Sequence, residues 1–172
     1  MQTGNDHLVS ASTFLDQMYY LGLAYDGANY WSFGGKNLCQ LNSTTMEIRA
    51  TYEIEIGAGI DLARIENYLY FSKYNQILKI IQFSPLHFEV YDIELQALGG
   101  VTHDGNTFWV SDTYHNFVYQ LDDQFEVIRT YIAFEKNSYD QSLTGMRYIA
   151  FNIDGDLWIA QRAQIFCFTI PL

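Results

Sequence analysis

The chain has 172 residues, 49% of them hydrophobic and 17% charged, with 14 tyrosines and 12 phenylalanines; this is too apolar and aromatic for a disordered polypeptide, and long enough for one core without disulfide or metal staples. Nine basic residues against twenty acidic ones leave a formal net charge of -11, which repels a phosphate backbone and argues against nucleic-acid binding. No apolar run approaches the roughly 20 residues needed to span a bilayer, and the stretch from Met1 to Asp6 lacks the basic and apolar regions of a signal peptide.

In chain order, the first predicted element is a strand within residues 7–16, carried by Leu8, Val9, Phe14 and Leu15. A repeat then begins over residues 17–56. It opens with Leu21-Gly22-Leu23-Ala24-Tyr25-Asp26-Gly27 before Trp31, continues through Leu38-Cys39-Gln40-Leu41, and closes on a run that starts at Met46-Glu47-Ile48. Residues 57–97 repeat the plan with Ile60-Asp61-Leu62-Ala63-Arg64-Ile65, Tyr70 in place of tryptophan, Ile77-Leu78-Lys79-Ile80 and Phe88-Glu89-Val90. Residues 98–143 carry Gly99-Gly100-Val101-Thr102-His103-Asp104-Gly105 with Trp109, then Val118-Tyr119-Gln120-Leu121 and Phe125-Glu126-Val127. Residues 144–172 carry Ile149-Ala150-Phe151-Asn152-Ile153-Asp154-Gly155 with Trp158, then Ile165-Phe166-Cys167-Phe168, with no copy of the third run. The anchor aromatics stand at 31, 70, 109 and 158, a period near 40 residues stretched in the last interval by a polar insert around Glu135 to Gly145.

Strand-forming runs separated by Asp-Gly, Gly-Gly or Asn-Ser turns, four to each repeat of about 40 residues, specify the blades of a propeller. The expected fold is all-β: a small four-bladed β-propeller forming a single domain, in which the strand within residues 7–16 supplies the missing outer strand of the last blade and so covers an aggregation-prone edge. The alternative is an arm followed by part of a larger ring.

The segment from Gly99 to Thr113, with its counterpart around Tyr25, Asp26 and Trp31, resembles blades of the NHL and related propeller repeats, and is similar to those of glutamine cyclotransferases and gluconolactonase-like lactonases. The resemblance covers nearly the whole chain and implies architecture rather than activity. Such relatives carry five to seven blades, against four counted here. The early Glu-Gly-Pro motif through which the lactonases hold a metal is absent, so the resemblance transfers no catalytic residue.

The chain has no phosphate-binding glycine loop, paired-cysteine metal motif, His-Glu-x-x-His or nucleophile elbow. No catalytic residue, metal ligand or cofactor is therefore assigned, and the reading leans away from an enzyme. Asp26, Asp104 and Asp154 read as turn caps, and Trp31, Trp109 and Trp158 as packing between blades. Cys39 and Cys167 read as small buried hydrophobes. The position six residues before each anchor aromatic holds Tyr25, Arg64, His103 and Asn152, one polar or amphipathic residue per innermost strand, and these form the candidate ligand-binding ring at a channel mouth. The function expected first is a non-enzymatic protein-interaction or assembly module, with a protein partner or self-association. A propeller that binds a sugar or other small ligand is the second expectation, and a lactonase-like or cyclotransferase-like enzyme the third.

Overall fold

The computed structural model describes residues 20–34, 36–54, 61–95, 97–132, 146–152, 154–161 and 164–170. The strand expected within residues 7–16 and the polar insert lie outside the described residues. Fifteen strands are present among them and no helix. The first blade comprises β1 (Tyr20–Tyr25), β2 (Asn29–Gly34), β3 (Asn37–Asn42) and β4 (Ile48–Glu53). The second comprises β5 (Asp61–Ile65), β6 (Tyr68–Lys73), β7 (Gln76–Phe83) and β8 (Leu86–Asp92). The third comprises β9 (Leu98–His103), β10 (Phe108–Asp112), β11 (Phe117–Leu121) and β12 (Val127–Ile132), and the last β13 (Met146–Phe151), β14 (Asp156–Gln161) and β15 (Gln164–Thr169).

Each blade is an antiparallel meander, with strands in sequence order from the axis outward. The innermost strands pack side by side in the order β1, β5, β9, β13. The molecule is thus a four-bladed β-propeller, and the fourth blade has three strands among the described residues. The innermost strands approach so closely that two of them need glycine. A Cβ on Gly22 would stand 2.6 Å from the Leu62 backbone nitrogen, and one on Gly100 would stand 2.5 Å from that of Ile149 and 2.9 Å from the Asp61 carboxylate. At Met46 and Phe125 the backbone turns through positive φ (61° and 64°) just before β4 and β12, so these two runs open on a turn rather than on the strand itself.

Burial alternates along the outer strands β4 and β8 but is continuous through β6 and β10, which are covered on both faces, and the core is divided by interface. One cluster joins blades 1 and 2 through Trp31, Phe33, Leu38, Leu62, Phe71 and Leu78. A second joins blades 2 and 3 through Tyr70, Ile77, Leu98, Val101, Phe108 and Phe125. A third joins blades 3 and 4 through Trp109, Val118, Ile149, Leu157 and Ile159. Among the described residues no buried cluster joins blade 4 to blade 1.

That gap revises two sequence expectations. Trp31 and Trp109 are buried (4% and 1% exposed), but Trp158 is 42% exposed, and among the described residues no buried cluster covers its face. Cys39 is buried as expected, whereas Cys167, on the same open blade, is exposed. Tyr74 and Tyr114 are exposed, at 72% and 66%. No helix among the described residues is long and apolar enough to cross a membrane.

Candidate functional site

The turns between the first two strands of each blade set the geometry of one mouth of the axis. In blade 1 the Asp26 carboxylate accepts the backbone N–H groups of Ala28 and Asn29 on one oxygen (2.8 and 2.6 Å) and the indole N–H of Trp31 on the other (2.6 Å). In blade 3 Asp104 repeats the device with Asn106, Thr107 and Trp109, each at 2.8 Å. Burial acts to raise both carboxyls, but these donors outweigh it and hold each below the usual carboxylate value. Blade 4 departs from this. There Asn152 caps the turn, accepting the N–H groups of Asp154 and Asp156 at 3.0 and 2.8 Å. Trp158 pairs with Ala150, as Trp31 does with Ala24, Tyr70 with Ala63 and Trp109 with Thr102. The structural counterpart of Tyr25, Arg64 and His103 is therefore Phe151, and counting six positions back from Trp158 stops one residue short of it.

A cavity of about 850 Å³ occupies the axis and the wedge between blades 4 and 1. Its walls come from all four innermost strands, including Leu23 and Tyr25 of β1, Asp61 to Arg64 of β5, Val101 and Thr102 of β9 and Tyr148 to Ala150 of β13. Leu41 and Met46 of blade 1 and Trp158, Ala160 and Ile165 of blade 4 complete the wedge. Of the four expected ring residues, the structure brings Tyr25 and Arg64 together in this lining. Tyr25 is half exposed, its hydroxyl donating to the Gly27 carbonyl at 2.8 Å. His103 does not line the cavity: its Nδ1 accepts the Gly105 N–H at 3.0 Å and its ring meets Phe108 edge-on at 4.9 Å. Asn152, as the turn cap of blade 4, is also outside it.

Two charged groups face this mostly apolar lining. Arg64 is exposed at the mouth, where it also borders a smaller groove of about 260 Å³ between blades 1 and 2. Among the described residues the ion pairs are Lys79 with Glu89 and His115 with Asp112, so the Arg64 guanidinium has no carboxylate partner there. Asp61, which sequence reasoning did not single out, is the deeper group. It is 6% exposed and accepts the Val101 N–H at 3.2 Å together with the N–H groups of Leu62 and Ile149, tying blades 2, 3 and 4 at the axis. Burial nevertheless pushes its carboxyl up to about 7 against the pull of those donors. The available signal was a carboxylate standing alone at a position where the other blades carry Gly22, Gly100 and Tyr148. Among the described residues no three metal-binding side chains gather.

No protein-family profile matches the chain, and no curated protein is detectably similar to it in sequence. Its fold is similar to that of solved propellers. Glutaminyl cyclase from Myxococcus xanthus superposes with a TM-score of 0.72 at 12% identity, over 87% of this chain and 72% of that one. Virginiamycin B lyase from Staphylococcus aureus gives 0.59 at 13% identity, over 89% and 56% of the two chains, and a streptogramin B lyase gives 0.55 at 17%, over 85% and 63%. The chain thus spans less than two thirds of either lyase. At these identities the likeness is one of fold.

Proposed function

We propose that this propeller is a binding module for a small organic ligand with an apolar body and an anionic end, held in the cavity on the axis. The observation that carries the reading is the pairing of a large apolar cavity with a cation at its mouth, Arg64, that has no carboxylate partner among the described residues, in a chain whose net charge is -11. Pre-formed apolar concavities with a few convergent polar groups are the usual form of ligand sites. Leu23, Leu62, Val101 and Ile149 offer the apolar wall, Trp158 an exposed aromatic face, and Arg64 a charge-assisted anchor for a carboxylate or sulfonate. No bond-breaking step is part of this proposal.

The probe is 1-anilinonaphthalene-8-sulfonate, an aromatic body with one sulfonate. Fluorescence titration is expected to show one saturable site, weakened about tenfold in Arg64→Gln, the loss of one charge-assisted contact worth about 1.4 kcal/mol. Unsaturable binding, or equal affinity in the two proteins, would overturn the reading.

A second reading, the assembly module expected first from sequence, is supported by β12, an outer strand on which Val127, Ile128 and Ile132 are 46%, 51% and 69% exposed. A sheet edge carrying apolar side chains is a template for strand addition by another protein.

A further inference from the structure

Arg64 borders two concavities. Toward the axis it lines the large cavity with Tyr25 and Leu62, and on its other side it lines the groove of about 260 Å³ between blades 1 and 2. The first turn of blade 1 stands between them. Tyr25, on the cavity side, is tied to that turn by its bond to the Gly27 carbonyl, while Asp26 faces the groove. A Cβ on Gly27 would stand 3.9 Å from Arg64 Nη1, which puts the guanidinium beside this divide. An anionic group bound there has room for substituents in two directions.

The two directions differ in chemistry. The cavity wall is mostly aliphatic, whereas the groove mixes charge with aromatic surface. Asp26 comes from blade 1, Asn67 and Tyr68 from blade 2, and Phe83 stacks on Trp31 at 4.7 Å between ring centroids. Three N–H groups hold the Asp26 carboxyl in its ionised form. Neither Asp26 nor Arg64 has an ion-pair partner among the described residues. A carboxylate next to aromatic faces is a setting that attracts a cation.

The field of the whole chain favours the same ligand. With a net charge of -11, the protein repels an anion on approach even though Arg64 attracts it at contact, and a ligand that carries its own cation escapes that repulsion. A carboxylate seated on Arg64 also screens the guanidinium from a cation lying farther along the groove.

Resting on the reading of the cavity as a ligand site, we propose that the ligand is an Nα-acylated basic amino acid, with its acyl body in the cavity, its carboxylate on Arg64 and its cationic side chain in the groove toward Asp26. The groove is then the specificity subsite, and the blade 1 turn keeps the two arms apart.

Nα-dansyl-lysine and Nα-dansyl-norleucine share the acyl body, the carboxylate and the length of the side chain, and differ in the terminal ammonium. Fluorescence titration of the full chain at low salt is expected to show saturable binding of both, with the lysine derivative about fivefold tighter, the upper range for an exposed ion pair. Asp26→Asn keeps an oxygen for the Ala28 and Asn29 N–H groups and is expected to bring the two affinities together. Because that change also touches the bond from the Trp31 indole, Asn67→Lys, on an exposed groove residue, supplies an independent check: there the norleucine derivative is expected to bind more tightly. Saturable binding with equal affinities in the parent protein, or a lysine preference that survives Asn67→Lys, would overturn the proposal and leave the cavity reading standing. If neither derivative saturates, the cavity reading falls and this one with it.

Discussion

The Asp104 carboxylate satisfies two backbone N–H groups with one oxygen, and the Trp109 indole and the Thr107 hydroxyl with the other. Removing it strands a buried indole donor and uncaps a turn at once. Asp104→Ala is therefore expected to cost about 2–3 kcal/mol in urea unfolding, whereas Asp154→Ala, on an exposed side chain, should cost under about 0.5 kcal/mol. Equal costs would contradict the assignment of turn caps. The Asp-Gly turns were legible in the sequence because Asp and Gly have few other uses between strands. The bond from aspartate to tryptophan was not, since five positions of separation do not reveal that two side chains meet across a hairpin. Nor was the change in blade 4, where one residue more in the turn moves the Asp-Gly pair off the capping position and leaves Asn152 as the cap.

At the scale of strands the repeat carried most of the fold. Alternating apolar residues and a period near 40 were enough to place blades of antiparallel strands in order, because those patterns state which face of each strand is buried. What they left out was the contact between strands of different blades. The nearest atoms to a Cβ on Gly100 are the Ile149 backbone nitrogen, the buried Asp61 carboxylate and Cγ1 of the buried Ile149, none of them the far end of a flexible surface side chain. Gly100→Ala is accordingly expected to cost about 3 kcal/mol by chemical denaturation, the upper range for overpacking; a cost below about 1 kcal/mol would mean that β9 and β13 can slide apart. The candidate site was half legible for the same reason. Tyr25 and Arg64 share a repeated position and share the cavity, while His103, at that same position, turns to its own hairpin and Asp61 has no counterpart to align with. The cavity itself lies where no buried cluster joins blades 4 and 1 among the described residues, and the absence of a contact has no sequence pattern.

For the whole molecule, Asp61 matters because three blades donate to it. Its folded value, about 7, lies above the ordinary carboxylate value of 3.8, so between those limits the folded chain holds a proton that the unfolded chain has released. The stability this contributes is fully present below pH 4, falls as pH rises toward 7, and is lost above it, with a slope of up to about 1.4 kcal/mol per pH unit. Asp61→Asn keeps an oxygen for the Val101 N–H and removes the titration. Urea midpoints measured from pH 4.5 to 7.5 are expected to fall with pH in the parent relative to the variant, and parallel curves would show that Asp61 titrates alike in both states. The opposite sign attaches to Asp26 and Asp104, whose stabilisation is lost as pH drops.

Three core clusters, each joining a blade to the one before it, also dictate an order of events during synthesis. Blade 2 can seal against blade 1 while blade 3 is still inside the ribosome, and each later blade docks on a surface already made, so that the contacts formed at every stage are local and fast.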